Sequence, residues 1–353
     1  MGVPGRYHTV VGDRVRCDVC PRECTLRPGQ RGFCYVRRGT EDGVELTTYG
    51  RSSGFCIDPI EKKPLNHYLP GSAVLSFGTA GCNLGCRFCQ NWEISKARAN
   101  DRLQDTASPT AIAAAARRHG CRSVAFTYND PVIFTEYATD TAAACREAGV
   151  ATVAVTAGYV QGRAREDFFA GMDAANIDLK AFSDTFYRKL CFARLPEVLE
   201  TITYVARHTP CWLELTTLLI PGANDSDHEL HALCAWVAEH AGCDVPLHFT
   251  AFHPDFRLQD RPRTPLHTLL RARRIAQEAG LRYVYCGNVH HPPSDATTCP
   301  GCGTVVIQRD RYELLHWRLS DGACTACGTV LPGRFDDQPG TWGARRARAR
   351  VGR

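Results

Sequence analysis

Residues 81–92 read GCNLGCRFCQNW. Cys82, Cys86 and Cys89 are separated by three and then two residues, which leaves the loop one ligand short of a closed tetrahedral zinc site. A [4Fe–4S] cluster has four iron corners, each needing a ligand. Three thiolates from one loop hold three irons and leave the fourth open, and an open metal corner is a catalytic feature rather than a structural one.

The surrounding pattern fixes the fold that carries this loop. From Val74 onward, short β-branched runs alternate with helical patterns. Strands are expected at Val74–Phe77, Ser123–Thr127, Thr152–Val155, Asn176–Lys180, Trp212–Leu219, Pro246–Ala251 and Arg282–Cys286. Ser108 before Pro109 reads as a helix start closed by Gly120, and Thr264 before Pro265 as a second start closed by Gly280. Such alternation predicts parallel βαβ units, an α/β fold of the partial (β/α)6 barrel type. In that architecture, chemistry gathers at the C-terminal ends of the strands. The cysteine triplet, Asn129 and Asp130, Thr156, Asp178 and Lys180, and His253 all fall at such ends.

The motif of Cys82, Cys86 and Cys89, with the aromatic Phe88 before the last cysteine, resembles the signature of the radical S-adenosylmethionine (SAM) superfamily. Longer segments are similar to the AmmeMemoRadiSam system radical SAM enzymes, relatives of pyruvate formate-lyase activating enzyme. These are DPIEKKPLNHYLPGS, GCNLGCRFCQNWEIS, FTYNDPVIFTEY, NIDLKAFSDTFYRKLC, LLIPGANDS, FHPDF and YVYCGNV. The resemblance implies that SAM fills the open iron and that a low-potential cluster cleaves it to methionine and a 5′-deoxyadenosyl radical, which abstracts hydrogen. It also implies SAM-binding roles for Phe88, Asn129, Asp130, Thr156, Asp178, Lys180 and His253. Asn129-Asp130-Pro131 occupies the place of a Gly-Gly-Glu motif, with a shorter acid, and Ala157 replaces an expected Asn. The plainer account of Asp178 and Lys180 is a strand-end ion pair, and of His253 a structural histidine.

Two cysteine modules flank the barrel. At the C-terminus, Cys299 and Cys302, then Cys324 and Cys327, form two C-x2-C-G knuckles around a hairpin-like stretch, the pattern of a structural zinc ribbon. At the N-terminus, Cys17, Cys20, Cys24 and Cys34 supply four ligands. This set suits zinc or an auxiliary [4Fe–4S] cluster, and the knuckle-like Cys20-Pro21 turn inclines the reading to zinc. The eight remaining cysteines sit mostly in apolar surroundings and read as small core residues; Cys191, after YRKL, is the one with an alternative role facing substrate. The predicted organisation is a Cys-rich head over 1–57, a radical SAM barrel over 58–291, a zinc-ribbon-like module over 292–335 and a disordered Arg-rich tail over 336–353.

The net charge of +5 owes much to Arg345, Arg346, Arg348, Arg350 and Arg353. Lysines are confined to Lys62, Lys63, Lys96, Lys180 and Lys189, an Arg-for-Lys bias read as compositional rather than as a nucleic-acid footprint. With no apolar run near the length of a membrane span and no signal-peptide core, a cytoplasmic protein is expected. Its expected partners are an electron donor such as flavodoxin or ferredoxin and companion proteins of the AmmeMemoRadiSam system, with no membrane. The leading functional expectation is an activating-enzyme-like oxidoreductase that abstracts hydrogen from a partner protein's glycine. The alternatives are modification of a small molecule or of RNA, and a non-catalytic metal-binding relative.

Overall fold

The structure is a computed structural model describing residues 2–97, 103 and 105–352; Arg353 lies outside the described residues. Its centre is a nine-stranded sheet. In chain order the strands are β1 (Phe55–Pro59), β2 (Ala73–Phe77), β3 (Ser123–Phe126), β4 (Ala151–Thr156), β5 (Ala174–Asp178), β6 (Trp212–Leu219), β7 (Leu247–Ala251) and β8 (Val284–Gly287). After a ribbon hairpin of β9 (Val305–Asp310) and β10 (Glu313–Trp317) comes β11 (Ala347–Ala349).

Strands β2 to β8 pair in parallel with their sequence neighbours, and β1 and β11 add antiparallel strands outside β2. Pairing runs from β8 at one edge to β11 at the other without closing, so the barrel is partial. The short runs AVLSF in β2 and SVAF in β3 are buried along their whole length, as strands covered on both faces must be.

Helices α1 (Pro109–Arg118), α2 (Thr135–Glu147), α3 (Gly162–Ala170), α4 (Leu195–His208), α5 (Asp227–His240) and α6 (Leu266–Glu278) make the crossovers. Ser108 caps α1 as its sequence suggests, its Oγ accepting from the Ala111 N–H at 3.2 Å. Thr264 does not cap α6. Its hydroxyl donates to the Leu219 carbonyl and accepts from the Phe252 N–H, tying the ends of β6 and β7 together, and Pro265 precedes the helix without a side-chain cap.

The Arg-rich tail corrects an expectation. Instead of being disordered, Ala347–Ala349 pairs with Phe55–Ile57, and Arg346 lies against Cys56 and Asp58. Strand β1 would otherwise present a free row of backbone donors and acceptors, and the tail satisfies them whatever its side chains. The same strand also crosses the expected 57/58 boundary between head and barrel.

The head docks through a buried ion pair. Arg37 is bidentate to Glu136 of α2, with Nη1 to Oε1 at 3.0 Å, and its Nε donates to the Ile133 carbonyl at 3.0 Å. Glu136 Oε1 also accepts from the Arg6 N–H at 2.8 Å. Changing Glu136→Ala leaves a buried guanidinium unpaired, and the expected cost is about 3–5 kcal/mol. Chemical denaturation checks this, with loss of amide protection centred on residues 2–50; an unchanged midpoint would refute the docking role.

Among the described residues, no helix is long and apolar enough to cross a membrane.

Candidate functional site

The loop after β2 is held in shape from several sides. The Asn129 carboxamide, just beyond β3, accepts from the Thr79 N–H at 3.0 Å and donates to the Gly81 carbonyl at 2.9 Å. Asn83 Nδ2 donates to the Tyr159 carbonyl at 2.8 Å, and Lys96 Nζ to the Leu84 carbonyl at 2.7 Å. Gly85 and Arg87 donate their N–H groups to the carbonyls of Cys191 and Leu190, at 2.8 and 2.9 Å. The segment Tyr187–Cys191 is one turn of π-helix, a local irregularity often found at functional sites.

On this scaffold Cys86 is buried and Cys82 and Cys89 are partly buried. The Cys89 thiol lies 3.1 Å from Ser95 Oγ. Cys191 is fully buried, and its thiol hydrogen-bonds that of Cys86, which together with the Lys180 and Lys96 ammonium groups draws the Cys86 thiol downward against burial. Burial, with the Asp130 charge adding to it, pushes the Cys82 thiol up to about 12. With metal bound, the thiolate is the ligating form.

The neighbouring strand ends add charge and hydrogen-bonding groups. Asp130 accepts from Thr156 Oγ1 at 2.8 Å, from the Ala157 N–H at 3.2 Å and from the Val132 N–H at 3.3 Å. Burial pushes its carboxyl up to about 6, opposed by those bonds and by Lys180. Lys180 pairs with Asp178 at 2.7 Å, and its backbone N–H donates to the Tyr187 hydroxyl. Nearby Asp178, Cys86 and Cys191 hold the Lys180 ammonium well above its ordinary value despite burial.

The sequence-designated residues therefore divide. Cys82, Cys86, Asp130, Thr156, Asp178 and Lys180 form one electrostatically connected group. Phe88 is buried against Phe186, with ring centroids 5.7 Å apart, and so packs the loop from behind. The Asn129 amide is fully engaged in shaping residues 79–81. His253 is exposed, and its ring lies within hydrogen-bonding distance of the adjacent Pro254 carbonyl. Sequence reasoning passed over Lys96 and Ser95. In a chain with so few lysines, one lying seven residues past a cysteine triplet was the available signal.

The C-terminal cysteines form a second, different centre. Among the described residues, Cys299, Cys302, Cys324 and Cys327 are the one group whose ligand atoms all lie within 4.8 Å of one another. Cys299 and Cys327 are 3.6 Å apart and Cys302 and Cys324 3.8 Å. The knuckles repeat each other: Gly303 N–H donates to the Cys299 carbonyl at 3.0 Å and Gly328 N–H to that of Cys324 at 2.8 Å. Both glycines have positive φ, which the tight turn requires. This closed tetrahedral set fits a zinc-ribbon-like module. It docks by Arg309 to the Asn66 carbonyl and by the Pro332 carbonyl to His67, which also bonds Tyr285 in the N-terminal half of β8. The module thus joins the barrel away from the strand ends that carry the first site. The expected metal is one zinc per chain, lost together with protection of residues 297–331 in Cys302→Ser/Cys327→Ser, as elemental analysis and hydrogen exchange would show; bound iron in its place would refute it.

The head cysteines surround a third place. Cys17, Cys20, Cys24 and Cys34 line one small pocket with Arg37 and Asn83.

The open parallel barrel carries its three-thiol loop at the end of its first parallel strand, and the stretch that holds this loop matches the radical SAM superfamily. The Radical SAM superfamily profile matches residues 77–234. The uncharacterized protein MJ0808 of Methanocaldococcus jannaschii is 38% identical over 328 residues, 92% of this chain and 97% of that protein. Among solved structures, a domain of pyruvate-formate lyase-activating enzyme from Bacteroides vulgatus aligns at 17% identity and a TM-score of 0.42, over 47% of this chain and 99% of that one. A radical SAM methyltransferase from Sphaerobacter thermophilus aligns at 17% identity and a TM-score of 0.48, over 62% and 67% of the two chains. The family matched over these residues implies a [4Fe–4S] cluster and SAM. Three thiols on one pinned loop, beside a buried carboxylate and a lysine, are a donor set that fits both.

Proposed function

We propose that the chain generates a 5′-deoxyadenosyl radical from SAM and uses it to abstract hydrogen from a polypeptide, in the manner of an activating enzyme acting on a glycine Cα. The observation that carries the reading is the convergence of the pinned three-cysteine loop with Asp130, Thr156, Asp178 and Lys180 at neighbouring strand ends. Bound by Cys82, Cys86 and Cys89, the cluster would supply the single electron that cleaves the SAM carbon–sulfur bond. Asp130, anchored by Thr156 and the Ala157 N–H, offers a carboxylate to the SAM ammonium. Lys180, held charged by Asp178, offers a cation to the SAM carboxylate or ribose. Tyr187, buried and accepting from the Lys180 N–H, limits water on that side of the reacting centre.

A polypeptide is favoured over a small molecule by the surface around the loop. Trp92, three residues past Cys89, is stacked on Phe256 with centroids 5.6 Å apart, and Phe192 is exposed beside Gly85. Phe33 is likewise exposed, under the guanidinium of Arg22. Arg87 lies over Phe192 and Arg257 over Phe256. Exposed aromatics and arginines clustered around a site are the composition of a protein-contacting surface. Within this reading, an AmmeMemoRadiSam companion is the natural polypeptide and a flavodoxin- or ferredoxin-class protein the electron source.

The test is to supply anaerobically reconstituted protein with SAM, reductant and a candidate companion labelled with deuterium at its glycine Cα. Deuterium appearing in 5′-deoxyadenosine is the expected result. Cleavage of SAM with no label transferred from any companion, but with transfer from small molecules, would overturn the polypeptide reading.

A further inference from the structure

We propose that Cys17, Cys20, Cys24 and Cys34 hold a second [4Fe–4S] cluster, closed by four thiolates and set against the loop of Cys82, Cys86 and Cys89. All four head cysteines face one pocket although Cys17 ends a strand and the other three follow from the chain beyond it.

The width of the cage decides the metal. Tetrahedral zinc with bonds of about 2.3 Å draws its four sulfurs to roughly 3.8 Å of one another. The chain carries its own reference for that geometry in the C-terminal knuckles, whose paired sulfurs are 3.6 and 3.8 Å apart. The head thiols are not drawn into such a set; among the described residues, the C-terminal group alone meets the 4.8 Å limit. The triplet of Cys82, Cys86 and Cys89 fails to meet it in the same way. A cubane with one thiolate on each of four irons spreads its ligands around a central volume, and the head thiols line one shared pocket while standing wider apart than the C-terminal set. The zinc preference read from the Cys20-Pro21 turn is thereby reversed.

The position of the pocket adds a second argument. Asn83, the residue after Cys82, forms part of its wall, and Arg22 of the head bonds the Asn83 carbonyl. Gly81 approaches the Cys34 backbone so closely that a Cβ there would lie 2.0 Å from the Cys34 carbonyl oxygen. The head is therefore built directly onto the catalytic loop. With every iron ligated by cysteine, the second cluster has no open corner for SAM.

The test uses the full chain, reconstituted anaerobically, with iron, sulfide and zinc counted per chain and electron paramagnetic resonance recorded after reduction, with and without SAM. The expected native count is about eight irons, two four-iron clusters, with zinc confined to the ribbon. The triple variant Cys82→Ala/Cys86→Ala/Cys89→Ala is expected to retain about four irons, with a reduced-cluster signal that SAM does not alter. A triple variant without iron, or a native chain with about four irons and two zincs, overturns the proposal. If the triple variant does not fold, the native count alone decides. These counts are independent of turnover, so an absence of SAM cleavage would bear on the proposed function and leave this inference standing or falling by itself.

Discussion

Replacing Cys82, Cys86 and Cys89 together with alanine is expected to lower 5′-deoxyadenosine formation from SAM by about 10³-fold or more, to the background of reductant alone. The size of the effect follows from what the loop lacks once the thiols are gone. Many of the contacts that shape it come from groups other than the three sulfurs: the Asn129 amide, the Asn83–Tyr159 bond, the Lys96 ammonium and the carbonyls of Leu190 and Cys191. The variant should therefore keep its backbone, and the loss should be chemical. Circular dichroism and the denaturation midpoint supply the control, and product measured by chromatography after anaerobic incubation supplies the result. A variant retaining activity within tenfold of the native chain would remove the triplet from the mechanism. A variant that unfolds would be replaced by Cys86→Ser, which keeps the volume of the most buried of the three.

The features legible from sequence share a physical property: they depend on nearby residues. The strands announce themselves because each is a short apolar run ended by turn residues, and a strand buried on both faces cannot hide polar positions. The knuckles and the triplet are legible because metal ligation needs close spacing along the chain. What escaped reading depends on pairing across long separations. Nothing local to Arg37 signals Glu136, and nothing in an arginine-rich tail signals that its backbone completes the edge of β1. Composition argued for disorder there because it weighs side chains, whereas an edge strand is joined through its backbone. Asn129 shows the same limit in the site: its place after β3 was legible, but its four bonds to residues 79–81 depend on how β2 and β3 lie side by side. Cysteine spacing at the head is limited in a related way, since it gives the number of ligands and not the width of the cage they form.

Asp130 carries the second large expected effect, a SAM affinity that rises with pH through about 6 and is lost on neutralising the side chain. Burial is the leading cause of its raised value, and the Thr156 hydroxyl, the N–H groups of Val132 and Ala157 and the Lys180 charge only partly offset it. Because the folded-state value lies above the unfolded one, the fold favours the protonated acid. Its ionisation therefore costs stability above pH 6, by about 3 kcal/mol, and that cost is relieved as pH falls from 6 toward the unfolded value of 3.8. A cationic ammonium placed against the carboxylate reverses the preference, so SAM binding and Asp130 ionisation support each other. Lys180 stays charged across this range, held by Asp178. Below pH 6 the native chain should thus lose SAM affinity by up to about tenfold per unit, with a plateau above it. Asp130→Asn keeps an acceptor for Thr156 but removes the charge, and it should bind SAM about 10- to 100-fold more weakly at pH 7.5, with little dependence on pH. Equilibrium dialysis of SAM against both proteins between pH 5 and 8 separates this from a packing role. A residue that merely ties β3 to β4 would lower stability in the variant while leaving the pH profile of binding flat in the native chain. A profile that rises in the native chain and is flat in the variant requires the charge itself.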